Sequence, residues 1–167
     1  MTTYLALGSN LGDRLENLRE ARRRLQRLAQ SEIASAALYE TDPVDCPAGS
    51  PPFLNTVVAF ETGLAPLALL RETQQIESDL GRAAREARAV NAPRPVDLDL
   101  LVCGDQVQDS AELTLPHPRL HERRFVLAPL RDLAPALVPP THANPVSILL
   151  EICPSPETPP VRIAEQW

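Results

Sequence analysis

Two carboxylates set one residue apart, Asp97 and Asp99, interrupt the apolar run Arg94-Pro95-Val96-Asp97-Leu98-Asp99-Leu100-Leu101-Val102. Successive side chains of a β-strand point to opposite faces, so the two aspartates share one face while Val96, Leu98, Leu100 and Val102 cover the other. At about 6.5 Å along a strand, two such charges repel by roughly 2.6 kcal/mol at an effective dielectric near 20. A hard divalent cation reverses that penalty. Magnesium takes oxygen ligands, keeps several waters and is usually held by one or two carboxylates together with substrate phosphates. Arg94, just ahead of the pair, is suited to bind a phosphate or to form a salt bridge with one of the aspartates. A solvated edge strand would carry the same Asp-x-Asp spacing, but Leu101 shares the aspartates' face and argues against a face that is simply wet.

Elements that could position this strand are readable on both sides of it. Tyr4-Leu5-Ala6-Leu7 has the character of a short strand, followed by a Gly8-Ser9-Asn10-Leu11-Gly12-Asp13 turn. Asp13 is a suitable N-cap for a helix with Leu15, Leu18, Leu25 and Leu28 on one face. A second strand is expected from about Ile33 to Thr41, then a loop of prolines and small residues from Asp42 to Pro52. From Phe53 to Thr62 the chain alternates, with Leu54, Thr56, Val58 and Phe60 facing one way and Phe53, Asn55, Val57 and Ala59 the other. Pro66 opens a second helix, which Gly81 stops. Arg82, Arg85 and Arg88 follow in a segment without strong apolar period, read as a mobile basic loop or, alternatively, a helix extension through Ala83 to Ala89. After the aspartate strand, Cys103-Gly104-Asp105-Gln106 resembles a hairpin turn into Val107. Short helices are expected around Phe125 to Leu130 and Val146 to Ile152, and residues 158–167 are expected to form a flexible tail. The order β-α-β-β-α-β points to an α+β fold of ferredoxin-like type, a three-layer α-β-α sandwich around a mainly antiparallel sheet.

Bulk properties narrow the function classes. The 167 residues suit one domain, and 44% hydrophobic with 23% charged residues is ordinary for a soluble globular chain. A formal net charge of −6 gives no reason to expect nucleic-acid or membrane binding. The chain has no lysine, so all 16 basic residues are arginine and a P-loop is excluded. Cys46, Cys103 and Cys153 are odd in number and widely spaced, which fits a reduced, cytoplasmic setting better than a disulfide framework. No stretch reaches transmembrane length, and a monomer is expected.

Five segments then occur in a telling order: Ala6-Leu7-Gly8-Ser9-Asn10-Leu11-Gly12, Phe53-Leu54-Asn55, Gln74-Gln75-Ile76-Glu77, Ala92-Pro93-Arg94-Pro95-Val96-Asp97-Leu98-Asp99 and Leu115-Pro116-His117-Pro118. From Tyr4 to about Val138 the chain resembles the 6-hydroxymethyl-7,8-dihydropterin pyrophosphokinases of folate biosynthesis, most specifically through the aspartate segment. The resemblance implies transfer of the diphosphate of ATP to the hydroxymethyl group of the dihydropterin, with release of AMP. It implies two magnesium ions held by Asp97 and Asp99, with Arg94 and Arg82 among the catalytic residues. It further assigns Gln74, Glu77, Arg94, His117 and Arg123 to ATP. Phe53 and Phe125 would sandwich the pterin ring, Asn55 would read its polar edge, and backbone groups of Thr41 and Val44 would meet it. Without the resemblance, Gln74 and Glu77 read as helix-surface residues, His117 as a turn histidine and the two phenylalanines as core.

The chain also departs from that family's pattern. Arg88-Ala89-Val90-Asn91-Ala92 lacks the tryptophan found there in many members, Pro95 stands where threonine is common, and Pro118 replaces a tyrosine. Two other function classes share the same residues. A metal-dependent phosphohydrolase would consume ATP without a pterin, and a non-catalytic binding paralogue would bind without forming AMP.

Overall fold

The first apolar run forms β1 (Thr2–Ser9), second in a sheet of six strands. The computed structural model describes residues 1–43, 46–81, 92–156 and 158–167. Along the chain follow α1 (Arg14–Leu25), β2 (Ala34–Ser35), β3 (Leu38–Thr41), β4 (Phe53–Glu61), α2 (Pro66–Asp79) and β5 (Asp97–Cys103). The remainder holds β6 (Gln108–Asp109), β7 (Thr114–Leu115), a 3-10 turn at Leu120–Glu122, α3 (Arg124–Leu133), α4 (Val146–Glu151) and β8 (Val161–Ala164). The sheet runs β5-β1-β4-β3-β8, with β2 also paired to β4, and these pairings are antiparallel.

Helices cover both faces. Leu18, Ala21 and Leu25 of α1 and Leu69 and Ile76 of α2 pack with Leu5, Leu7, Leu54, Val58, Leu98 and Leu100 of the sheet. On the other face Val126, Leu127 and Leu130 of α3 and Val146 and Leu149 of α4 pack with Val57, Leu101 and Val102. Strand alternation thus feeds two separate cores, giving the expected α-β-α sandwich. Asp13 caps α1 through its Oδ1, which accepts the Glu16 N–H at 3.0 Å. Gly81, at φ +89°, ends α2 in a conformation that favours glycine.

Four expectations change. The strand expected from Ile33 to Thr41 is divided around Ala36, whose carbonyl accepts from the Thr56 hydroxyl at 3.1 Å and the Trp167 indole at 2.9 Å rather than continuing a ladder. Val102 does not share a face with Val96, Leu98 and Leu100. Register shifts between Tyr4 and Leu5, and the bulge opposite them turns both Leu101 and Val102 into the core under α3 and α4 and Cys103 into the core shared by α1 and α2. The turn at Gly104 is present, but it does not close a hairpin on β5. The strand after it, β6, pairs with β7 in a separate two-stranded sheet. Last, residues 158–167, expected as a flexible tail, contain the strand β8. β8 pairs with β3, and Arg162 Nη2 reaches Asp132 Oδ2 at 3.3 Å, beside the Tyr39 hydroxyl that donates to the same oxygen at 2.9 Å. The basic segment expected as a loop or helix extension falls largely outside the described residues, as do Arg82, Arg85 and Arg88.

Candidate active site

Three strands converge where β1 leaves the sheet. Gly8 of β1 stands opposite Asn55 of β4 on one side and opposite Asp97 of β5 on the other, with Ala6 opposite Asp99. A Cβ placed on Gly8 would lie 3.1 Å from Asn55 Oδ1, 3.6 Å from Phe53 Cδ1 and 3.9 Å from Asp97 Cβ. Its role is one of space: the missing side chain lets an amide, an aromatic ring and a carboxylate approach one another over bare backbone. The Gly-Ser-Asn motif signalled a special turn, but only the strand register shows what its glycine serves.

Each aspartate faces an arginine. Arg94 donates from Nη2 at 2.7 Å and from Nε at 3.0 Å to Asp97 Oδ2. The salt bridge read from sequence as Arg94's alternative to phosphate is therefore formed. Arg123 Nη1 lies 3.6 Å from Asp99 Oδ2. The two guanidinium groups offset the carboxylate repulsion expected on this face. Each also sits over a ring, Arg94 at 5.2 Å from the Phe53 centroid and Arg123 at 5.6 Å from that of Phe125.

The candidate pterin residues lie beside this arrangement. Phe53 and Asn55 are buried at the start of β4, and Asn55 Nδ2 donates to Thr41 Oγ1 at 2.7 Å. Thr41 was expected to act through its backbone; here its hydroxyl orients the amide. Phe125, in the first turn of α3, packs against the core on that side. Val44 lies outside the described residues.

Residues assigned to the nucleotide are less uniformly placed. Glu77 is 9% exposed, and its Oε1 accepts the Leu98 N–H at 2.7 Å. The His117 N–H donates to Leu101 O at 2.8 Å. Both therefore satisfy backbone groups along the outer edge of the aspartate strand, which ends the sheet. The His117 pKa is pushed down to about 4 by burial, with Arg123 and Arg119 acting in the same direction. Its Nδ1 accepts the Arg119 N–H at 3.1 Å, so the neutral ring carries its proton on Nε2. Gln74 stays exposed on α2, in the layer packed on the opposite face. Arg124 turns away and donates to Cys153 O at 3.3 Å.

Among the described residues no cluster of three or more His, Cys, Asp or Glu side chains could hold a metal. Asp97 and Asp99 are chemically suited to magnesium, an ion that completes its oxygen shell from water and phosphates.

Comparisons with known proteins point to one family. Residues 4–135 match the family described as 7,8-dihydro-6-hydroxymethylpterin-pyrophosphokinase. The 2-amino-4-hydroxy-6-hydroxymethyldihydropteridine pyrophosphokinase of Pseudomonas aeruginosa is 43% identical over 152 residues, covering 90% of this chain and 91% of that one. That of Bacillus subtilis is 45% identical, over 78% of this chain and 76% of its relative. Folic acid synthesis protein fol1 of Schizosaccharomyces pombe is 39% identical over 91% of this chain, which spans only 20% of that longer protein. In structure the chain resembles Plasmodium falciparum HPPK-DHPS, with a TM-score of 0.67 at 17% identity, over 90% of this chain and 42% of that one. By sequence and by fold, the chain belongs to the 7,8-dihydro-6-hydroxymethylpterin-pyrophosphokinase family.

Proposed function

We infer that the chain transfers the diphosphate group of ATP to the hydroxymethyl group of 6-hydroxymethyl-7,8-dihydropterin, giving the pterin diphosphate and AMP, in folate synthesis. The observation that carries this reading is the convergence around Gly8, where Phe53 and Asn55 adjoin the Arg94–Asp97 pair. A flat heterocycle and a polyphosphate can meet there across one strand.

In the proposed reaction the pterin hydroxyl oxygen bonds to the β-phosphorus of ATP. The bond from that phosphorus to the α–β bridging oxygen breaks, AMP leaves with that oxygen, and the hydroxyl proton is released. Phe53 and Phe125 hold the ring flat, while Thr41 fixes the Asn55 amide so that Oδ1 is presented as an acceptor. Arg94, held in place by Asp97, and Arg123, which exchanges Asp99 for phosphate, stabilise charge by position. The neutral His117 ring offers Nε2–H as a donor to the nucleotide, and Gln74 and Glu77 belong to the same half of the proposal. Arg82 and Val44 are included on the resemblance alone. Asp97 and Asp99 would hold two magnesium ions, which would neutralise the triphosphate and acidify the attacking hydroxyl.

The proposal is of a single domain, residues 1–167, working as a cytoplasmic monomer. Among the described residues no helix is long and apolar enough to cross a membrane. The test is incubation with ATP, magnesium and hydroxymethyldihydropterin while AMP and pterin diphosphate are followed together. Equal amounts of both products are expected. ATP loss without pterin would indicate a phosphohydrolase, and binding without AMP a non-catalytic protein.

A further inference from the structure

Asn10, immediately after β1, is 1% exposed and reaches two segments far from it in sequence. Its Oδ1 accepts the Arg94 N–H at 2.9 Å, and its own backbone N–H donates to Arg94 O at 3.2 Å. Both backbone polar groups of Arg94 are thereby held. From the same amide, Nδ2 donates to Pro51 O at 3.3 Å.

The partners explain why an asparagine is suited to this position. Arg94 lies between Pro93 and Pro95, which have no N–H, so its own N–H is the sole backbone donor across those three residues. The Pro51-Pro52 pair leading into Phe53 offers only carbonyls. Pro52 O accepts from Arg14 Nη1 at 2.9 Å, and Pro51 O accepts from Asn10. One buried amide therefore supplies the acceptor that one proline-flanked segment needs and a donor that the other needs. The turn itself is held by a different residue: Asn17 Nδ2 donates to Ser9 Oγ at 3.3 Å and to Leu11 O at 2.8 Å.

We infer that Asn10 is a positioning residue for the diphosphate transfer, holding Arg94 on the phosphate side in register with the Pro51-Pro52 approach to Phe53 on the pterin side. This rests on the reaction proposed above. Asn10→Asp keeps an oxygen for the Arg94 N–H but sets a carboxylate oxygen against the Pro51 carbonyl. Asn10→Ala removes both contacts.

In steady-state kinetics at saturating magnesium, Asn10→Asp is expected to raise KM for the dihydropterin about tenfold, with kcat and KM for ATP within about twofold of the parent. Asn10→Ala is expected to lower kcat about tenfold as well. Asn17→Ala weakens the turn while sparing both contacts, and should lower thermal stability without splitting the kinetic constants. An unchanged pterin KM in Asn10→Asp, or the same split in Asn17→Ala, overturns the inference. If Asn10→Ala does not fold, Asn10→Asp decides alone. Should the parent chain form no AMP, the transfer reading fails; equilibrium titration of dihydropterin fluorescence with the parent and Asn10→Asp then tests positioning separately, with equal affinities overturning it.

Discussion

Each aspartate of β5 faces an arginine that also covers a phenylalanine, yet the two trios are built by different means. Arg94 and Asp97 are three residues apart on the approach to one strand, 16% and 19% exposed, with the closest contact at 2.7 Å. Arg123 comes from the lead-in to α3, and it meets Asp99 at 3.6 Å with exposures of 19% and 38%. The first pair is additionally clamped through the Arg94 backbone by Asn10. A part-buried, two-donor contact on a fixed backbone is pre-organised, whereas a longer and wetter pair contributes about 0–1 kcal/mol and yields easily to another anion. The difference teaches that one half of the site is held ready, and the other half is where substrate can displace an existing contact at little cost.

The largest effects should come from the aspartates. Asp97→Ala and Asp99→Ala should each reduce AMP formation about a hundredfold or more, corresponding to at least about 2.7 kcal/mol of lost transition-state stabilisation. Urea unfolding should then separate them. Asp99→Ala is expected to cost under about 1 kcal/mol, and Asp97→Ala about 1–3 kcal/mol because it strands a part-buried guanidinium. Equal losses of stability would break the contrast between the pairs.

Smaller differences should follow from the arginines and the rings. Arg94→Ala should lower kcat/KM for ATP about tenfold more than Arg123→Ala, in keeping with a fixed rather than a movable phosphate ligand. Replacing either ring by leucine should raise the pterin KM about tenfold through lost stacking. Phe53→Leu should additionally lower the melting temperature more than Phe125→Leu, since Phe53 is the more buried.

The mildest expected effect concerns pH. His117 has its pKa lowered to about 4, so the unfolded chain binds the extra proton first as pH falls. Its contribution to stability is full above about pH 6.5, the ordinary histidine value, and is lost progressively as pH drops toward 4. Protonation would also break the bond from Arg119 N–H to Nδ1. Urea titrations at pH 7 and pH 5 should show this loss, reduced in His117→Gln. At pH 6 to 8 the activity profile should carry no inflection from His117.

Local periodicity made much of this legible. The α1 cap at Asp13, the alternation of β4 and the shared face of Asp97 and Asp99 each depend on neighbours a few residues away, and so does the Arg94–Asp97 pair. Features resting on distant partners were hidden. Val102 changes face because of a bulge against β1, which composition does not announce. Asn10 acts through residues 84 and 41 positions away, and Glu77 serves a strand that ends the sheet, although its position on α2 suggested surface. Residues 158–167 were expected as a flexible tail, but Arg162 and Trp167 find partners in α3 and at Ala36 that only the folded chain supplies.

That last contact bears on how the chain leaves the ribosome. Trp167 closes onto Ala36 across 131 residues, and β8 covers the side of β3 that faces away from β4. During synthesis β1, β4 and β5 emerge and can pair while this flank of β3 still lacks its covering strand. Until residues 161–164 emerge, that border of β3 offers unpaired hydrogen-bonding groups, the kind of border that recruits other unfinished chains. The stretch of sequence that carries none of the proposed chemistry is thus the one that covers β3 and leaves only the short β8 at that border.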